Sequence, residues 1–260
     1  MKLSHLLDAP PPPTSLDPLH IHRGGEHTVL VCLPGKFRTP TDMLSELHTR
    51  LSLVTEDLPD LPLLICRRHI LAPKSALTGN PGDRGVPMRT NSAPLGMIMN
   101  EAVVDIHTRR AADIYRRWKS VTAATPVARP APRELAGLGK DAALNQAVDE
   151  FLQQPRIAAM IDHDPRLGTA DSTLEPLGPG LQALQAGRQA YIDYAVGTIR
   201  FGHGLLTLDG TLLRSGNHVP AADRLDDRMA YLTYAADYLG RLHDTVTLVA
   251  VHVDLPILHS

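Results

Sequence analysis

Short, nearly unbroken apolar runs alternate along the chain with longer stretches in which apolar residues recur every three or four positions; the first pattern predicts strands, the second helices. "HTVLVCLPG" at 27–35 is a β-rich apolar run closed by Pro-Gly, a buried strand. "TPTDMLSELHTRLSLV" follows, with a threonine cap, a proline near the first turn and leucines at 44, 47 and 51, which predicts an amphipathic helix. "LPLLICRRHI" at 61–70 returns as a second strand, and the proline- and glycine-rich stretch over 71–94 predicts a long polar loop. Helical patterns run from about 95 to 160, broken by "TPVARPAPREL"; "DPRLGTADSTLEPLGPG" is a further loop and "LQALQAGRQAYIDYA" a short helix. The end of the chain reads as the strands of "GTIRFGHGLLTLDGTLLR" with an Asp209-Gly210 turn, the helix "AADRLDDRMAYLTYAADYLGRL" and a last strand in "DTVTLVAVHVDL".

Set end to end, the outer parts read βαβ, a long insertion, then β(β)αβ. That is the order of a ferredoxin-like (RRM-like) α+β fold, an antiparallel sheet with two helices on one face. Residues 1–75 and 190–260 are expected to form this core, and 76–189 an inserted loop and α-helical lobe. At 260 residues with 43% apolar side chains, the chain has the means for one large domain with a substantial insertion.

Two cysteines, Cys32 and Cys66, both lie inside apolar runs and read as small buried hydrophobes of a reducing compartment rather than a disulfide pair. A cytoplasmic location is expected, because the "APPPPT" near the start does not fit a signal peptide and no run approaches transmembrane length.

Charge adds the first functional hint. The net charge is −2, but residues 61–140 hold 13 Lys+Arg against 5 Asp+Glu, an excess of +8 that leaves −10 for the rest. A basic middle with acidic flanks points to a polyanionic partner, most often nucleic acid. The densest stretch is "DIHTRRAADIYRRWKS" at 105–120, with Arg109, Arg110, Arg116, Arg117 and Lys119. On a helical wheel His107, Ala111, Ile114, Trp118 and Val121 form one stripe, with Arg109, Arg116 and Lys119 opposite. Trp118 then reads as a core anchor rather than a base-stacking platform. Arg109 and Arg116 are two turns apart, so a helix laid along a groove places both near phosphates; aspartates also stand four residues before arginines, Asp105 before Arg109 and Asp113 before Arg117, the pattern of an ordinary solvated face, and both readings stand.

No zinc spacing, zipper or helix-turn-helix pattern supports a DNA reader. Aromatic residues are only 4% of the chain, and the base-stacking pattern of an RNA-recognition motif is missing, so recognition of a structured RNA through arginines and shape fits better. Around the first strand, "HIHRGGEHTVLVCLPGKFRTP" places His20, His22 and Arg23 before it and Lys36 and Arg38 after it. The histidines have no third ligand at a metal-binding spacing, and P-loop, dinucleotide and serine-hydrolase signatures are absent, so no cofactor is expected.

With arginines flanking the first strand, the glycine-rich "RFGHGLLTLDGTLLRSG" and an inserted basic helical lobe, the chain resembles the CRISPR-associated endoribonucleases that cleave repeat RNA, and more narrowly the type IV crRNA-maturation enzymes. The resemblance implies a metal-independent cut of a repeat stem-loop, in which the 2′-OH beside the scissile phosphate attacks and leaves a 2′,3′-cyclic phosphate and a 5′-OH. It implies Arg23, Arg38 and Arg241 as the cluster that stabilises charge on the phosphoryl oxygens, with His22 as a contributing base. Many relatives carry a histidine near the first helix where this chain reads "GKFRTP", so the implied mechanism is arginine-centred. Lys36, Arg67, Arg68, Arg109, Arg110, Arg116, Arg117 and Lys119 become RNA-binding candidates. The implied partners are a repeat hairpin, the mature crRNA and other protein subunits of a ribonucleoprotein, with no membrane. Two rival classes remain open: a non-catalytic RNA-binding subunit, and a small-molecule α/β enzyme whose basic middle is merely solvated. For Arg241 an ordinary role as a cation at a helix C-terminus is equally open.

Overall fold

A computed structural model describes residues 26–35, 40–51, 64–67, 87–129, 142–163, 179–215 and 223–254. The fold is α+β. Its centre is β1 (Glu26–Leu33), whose Val29 to Leu33 are all at most 2% exposed. A strand walled on both sides needs an unbroken apolar run, and that is what its sequence supplies. Leu30 and Cys32 pack on one side with Phe201, Tyr231, Leu232 and Ala235; Val29, Val31 and Leu33 pack on the other with Met43 and Leu47 of α1 (Pro40–Leu51). Helices therefore cover both faces, where the sequence predicted them on one.

The sheet has five strands in the order β4-β7-β1-β5-β6, with β4 at Ser92–Pro94, β5 at Gly204–Leu206, β6 at Leu212–Arg214 and β7 at Thr247–Asp254. β7 runs antiparallel to β1 over its full length, from Glu26↔Asp254 to Leu33↔Thr247. β5 runs parallel to β1, with Val29 opposite Gly204 and Val31 opposite Leu206. The sheet is thus mixed, not antiparallel as expected. The cause is local to Gly202, at φ +60°, where the chain leaves the helix before it: the His203 N–H donates to Thr28 O at 2.6 Å and sets β5 directly beside β1. A Cβ on Gly202 would lie 2.6 Å from Thr28 O, so only glycine permits this approach. The β5–β6 hairpin turns at the expected Asp209-Gly210, with Gly210 at φ +87°.

The expected strand over 61–70 is observed as the four-residue β2 (Leu64–Arg67), which pairs not with the main sheet but with β3 (Pro87–Thr90) in a sheet of two strands. Both β3 and β4 fall inside the stretch predicted as loop. Neither has a strand-like sequence of its own, and β4 exists because β7 offers it an edge, where Ala93 becomes fully buried.

The helices are α2 (Asn100–Val121), α3 (Ala142–Leu152), α4 (Pro155–His163), α5 (Pro179–Ala186), α6 (Arg188–Phe201) and α7 (Arg224–Gly240). The short helix predicted at 181–195 is divided at Gly187, φ +127°, into α5 and α6. α6 also takes in "GTIRF", predicted as strand. Gly197 sits there because Leu232 of α7 crosses it so closely that a Cβ would meet Leu232 Cδ1 at 2.7 Å. Tyr191, Ile192 and Ala195 of α6 pack with Ala111, Trp118, Met160 and Leu184 in a helical core, while Phe201 of the same helix belongs to the sheet core. α6 thereby ties the helical layer to the sheet. Among the described residues no helix is long and apolar enough to cross a membrane.

Candidate nucleic-acid interface

α2 carries out the division its wheel predicted. Ala111 (1% exposed) and Trp118 (5%) face the helical core, with Ile114 packed beside them. Trp118 is an anchor, as expected: the Arg156 guanidinium lies 5.7 Å from its ring centroid, and Tyr115 flanks it at 5.6 Å. Arg109, Arg116, Arg117 and Lys119 are exposed on the remaining arc, and Arg110 is half-buried at its border.

The exposed arginines are not electrostatically equal. Arg109 Nη2 donates to Asp105 Oδ2 at 2.5 Å, one turn back, and Arg116 Nη2 to Asp113 Oδ1 at 2.8 Å, three residues back. All four side chains remain more than half exposed, so the pairs sit in high dielectric, where such a pair contributes about 0.2–1 kcal/mol. Arg117 and Lys119 have no carboxylate partner among the described residues. Arg117 lines an open hollow of about 390 Å³ with Asp113, Arg116 and Ser120. Two guanidinium groups and a hydroxyl there can donate to phosphate oxygens, with the Asp113 carboxylate competing for Arg116. Ser120 was not singled out from the sequence; Asp113 was, as the acid four residues before Arg117, but it pairs with Arg116 instead.

Of the remaining candidates, Arg241 lies among the described residues. Arg241, at the C-terminal end of α7, is exposed and donates through Nε to Asp237 O at 3.0 Å, so it satisfies a carbonyl of its own helix end. It lies at the end of the sheet where β1 stops, since Leu33 pairs with Thr247. The eight residues of β1, roughly 26 Å at about 3.3 Å each, separate that end from the one where the chain enters. His20, His22, Arg23, Lys36, Arg38 and Arg68 lie outside the described residues, as does the side chain of Arg67, whose backbone ends β2 opposite Pro87. Among the described residues no three His, Cys, Asp or Glu side chains converge as metal ligands would.

A different arginine organises the glycine-rich segment. Arg228 of α7 is 4% exposed, with Nη2 donating to Gly202 O at 2.5 Å and to Thr198 Oγ1 at 3.5 Å, and Nη1 to Ser215 Oγ at 3.2 Å and His203 O at 3.4 Å. Its guanidinium stacks over Tyr231 at 5.0 Å, and the Tyr231 hydroxyl donates to Phe201 O at 2.7 Å. Burial lowers the Arg228 pKa, opposed by Tyr194, Tyr231 and Asp227; the C-terminal end of α6 supplies carbonyl oxygens and partial negative charge. Sequence reasoning passed over Arg228, although its position on the apolar face of α7, in line with Tyr231, Leu232 and Ala235, marks it as a cation at a core position.

No family model matches the chain, and neither does any curated protein or solved structure.

Proposed function

We propose that this protein binds structured RNA along the solvent face of α2 and cleaves it without a metal, as the repeat-cleaving CRISPR-associated endoribonucleases it resembles do. The observation that supports binding is the set of cationic side chains on the solvent arc of α2, with Arg117 and Lys119 uncompensated among the described residues and Arg116 and Arg117 lining an open hollow. An RNA backbone laid along the helix meets Arg109 and Arg116 about 10.5 Å apart, two turns along the axis. Cleavage rests on the arginines flanking β1 in sequence. The substrate's 2′-OH loses its proton and attacks the adjacent phosphorus, the P–O5′ bond breaks, the departing oxygen is protonated as a 5′-OH, and a cyclic phosphate remains. Guanidinium groups held at the phosphoryl oxygens lower that barrier by stabilising charge that grows in the transition state.

The test is incubation of the full chain with a labelled repeat hairpin in EDTA. A single cut whose 5′ product resists 3′-end ligation is expected, with Arg23→Ala and Arg38→Ala each slowing single-turnover cleavage by at least about tenfold and weakening affinity much less. Binding without cleavage makes the chain a non-catalytic RNA-binding subunit. Activity that returns only with added Mg²⁺, Mn²⁺ or Zn²⁺ overturns the metal-free mechanism, and absence of binding leaves α2 an ordinary solvated helix.

A further inference from the structure

The arginines best placed on α2 for a polyanion already hold carboxylates. We infer that Asp105 and Asp113 are built-in competitors of the ligand, which set how tightly and in what register the α2 face holds a polyphosphate backbone; this rests on the RNA-binding reading of the same face. Each aspartate accepts from Nη2 of a guanidinium that a phosphate also seeks, at 2.5 Å on Arg109 and 2.8 Å on Arg116. Because each carboxylate is tethered within one turn of its arginine, any anion must displace it, and at about 0.2–1 kcal/mol per exposed pair this weakens each site about 1.4- to 5-fold. A nucleic-acid strand overcomes that competition. It presents many phosphates at once, each able to accept two parallel hydrogen bonds from a guanidinium, and it releases condensed counterions on contact.

Arg117 makes the exchange stepwise. It shares the hollow with Asp113, Arg116 and Ser120 and has no carboxylate partner among the described residues, so it can hold a first phosphate while Arg116 still holds Asp113. A second phosphate then exchanges with Asp113. The displaced aspartates remain on the same face and repel phosphates that are poorly placed, so they sharpen register as well as weaken binding.

The experiment measures affinity of the full chain for a labelled RNA hairpin in three double variants. Asp105→Asn with Asp113→Asn frees both guanidinium groups. Glu101→Gln with Asp149→Asn removes the same charge from exposed acids that hold no arginine among the described residues. Arg109→Ala with Arg116→Ala removes the contested cations. The first variant is expected to bind RNA about 3- to 10-fold more tightly than wild type, while the second stays within about twofold. Equal tightening by the first two shows a net-charge effect alone and overturns the inference, as does an Asp105/Asp113 variant no tighter than wild type. If wild type binds RNA and the arginine variant binds it equally well, the α2 interface itself is wrong, a failure distinguishable from failure of the competition alone.

Discussion

Arg116 on α2 and Arg228 on α7 are both helical arginines donating to oxygen, and they serve opposite purposes. Arg116 is 77% exposed in its side chain, and its acceptor is three residues away on the same helix. Arg228 is 4% exposed, and its acceptors come from Thr198, Gly202, His203 and Ser215, between 13 and 30 residues away. The first interaction is cheap to make and cheap to exchange, which suits an interface that must trade partners. The second closes the C-terminal end of α6, the glycine-rich segment and the end of β6 around one guanidinium, which suits a fixed joint. Solvent makes the difference: in water an arginine loses little when its partner changes, whereas in the core a carbonyl that loses its donor has no water to replace it.

The sharpest way to break this comparison is to remove both guanidinium groups. Arg228→Met is expected to destabilise the protein by about 3 kcal/mol, because it leaves buried carbonyl and hydroxyl groups without their donor, and Arg116→Met by less than about 0.5 kcal/mol. Urea denaturation of the two variants side by side reads the contrast; comparable losses would erase it.

The joint also depends on the glycine that Arg228 holds. Gly202→Ala combines a backbone at φ +60°, ψ −155° with a Cβ 2.6 Å from Thr28 O, and is expected to cost about 2–3 kcal/mol. Gly210→Ala, at φ +87° with open space around it, is expected to cost about 1 kcal/mol. Thermal melts of these variants separate strain with collision from strain alone.

A smaller effect probes burial without touching an arginine. Burial pushes the Cys32 thiol up to about 12 against the opposing charge of Arg50, and the Cys66 thiol up to about 11. In the unfolded chain both ionise near pH 8.5, so above that the native state binds more protons than the unfolded one. Stability is then expected to fall as pH rises from about 8.5, by at most about 1.4 kcal/mol per unit per thiol, with no contribution below. Urea midpoints of wild type and Cys32→Ala over that range test it: the variant should show the shallower decline.

These contrasts trace the boundary of what is legible in the sequence. β1, α1, α2, α7, β7 and the Asp209-Gly210 turn all follow from periodicity or turn chemistry, because each has a strong local signal: a run of apolar residues, a stripe opposite charges, a glycine free to take positive φ. The α2 arginines were legible for the same reason, as were the aspartates preceding them, since i to i+3 and i to i+4 neighbours on a helix are fixed by its pitch. β3 and β4 were not legible. Their three or four residues have no period to detect, and they become strands only where another strand supplies hydrogen bonds.

What the sequence by itself determined is therefore the set of strong elements and the polarity of their faces: the buried central strand, the core side of α2 anchored by Trp118, and the cationic arc opposite it. Tertiary structure alone decided how those elements meet. It set β5 parallel to β1 rather than antiparallel, because Gly202 allows Thr28 to approach; it carried α6 through "GTIRF", because Leu232 packs over Gly197; and it buried Arg228 at a junction of segments distant in sequence. The physical reason is the same each time. Periodicity reports which face of an element avoids water, but strand direction, helix length at a close crossing and the partners of a buried charge depend on atoms brought near by the rest of the fold.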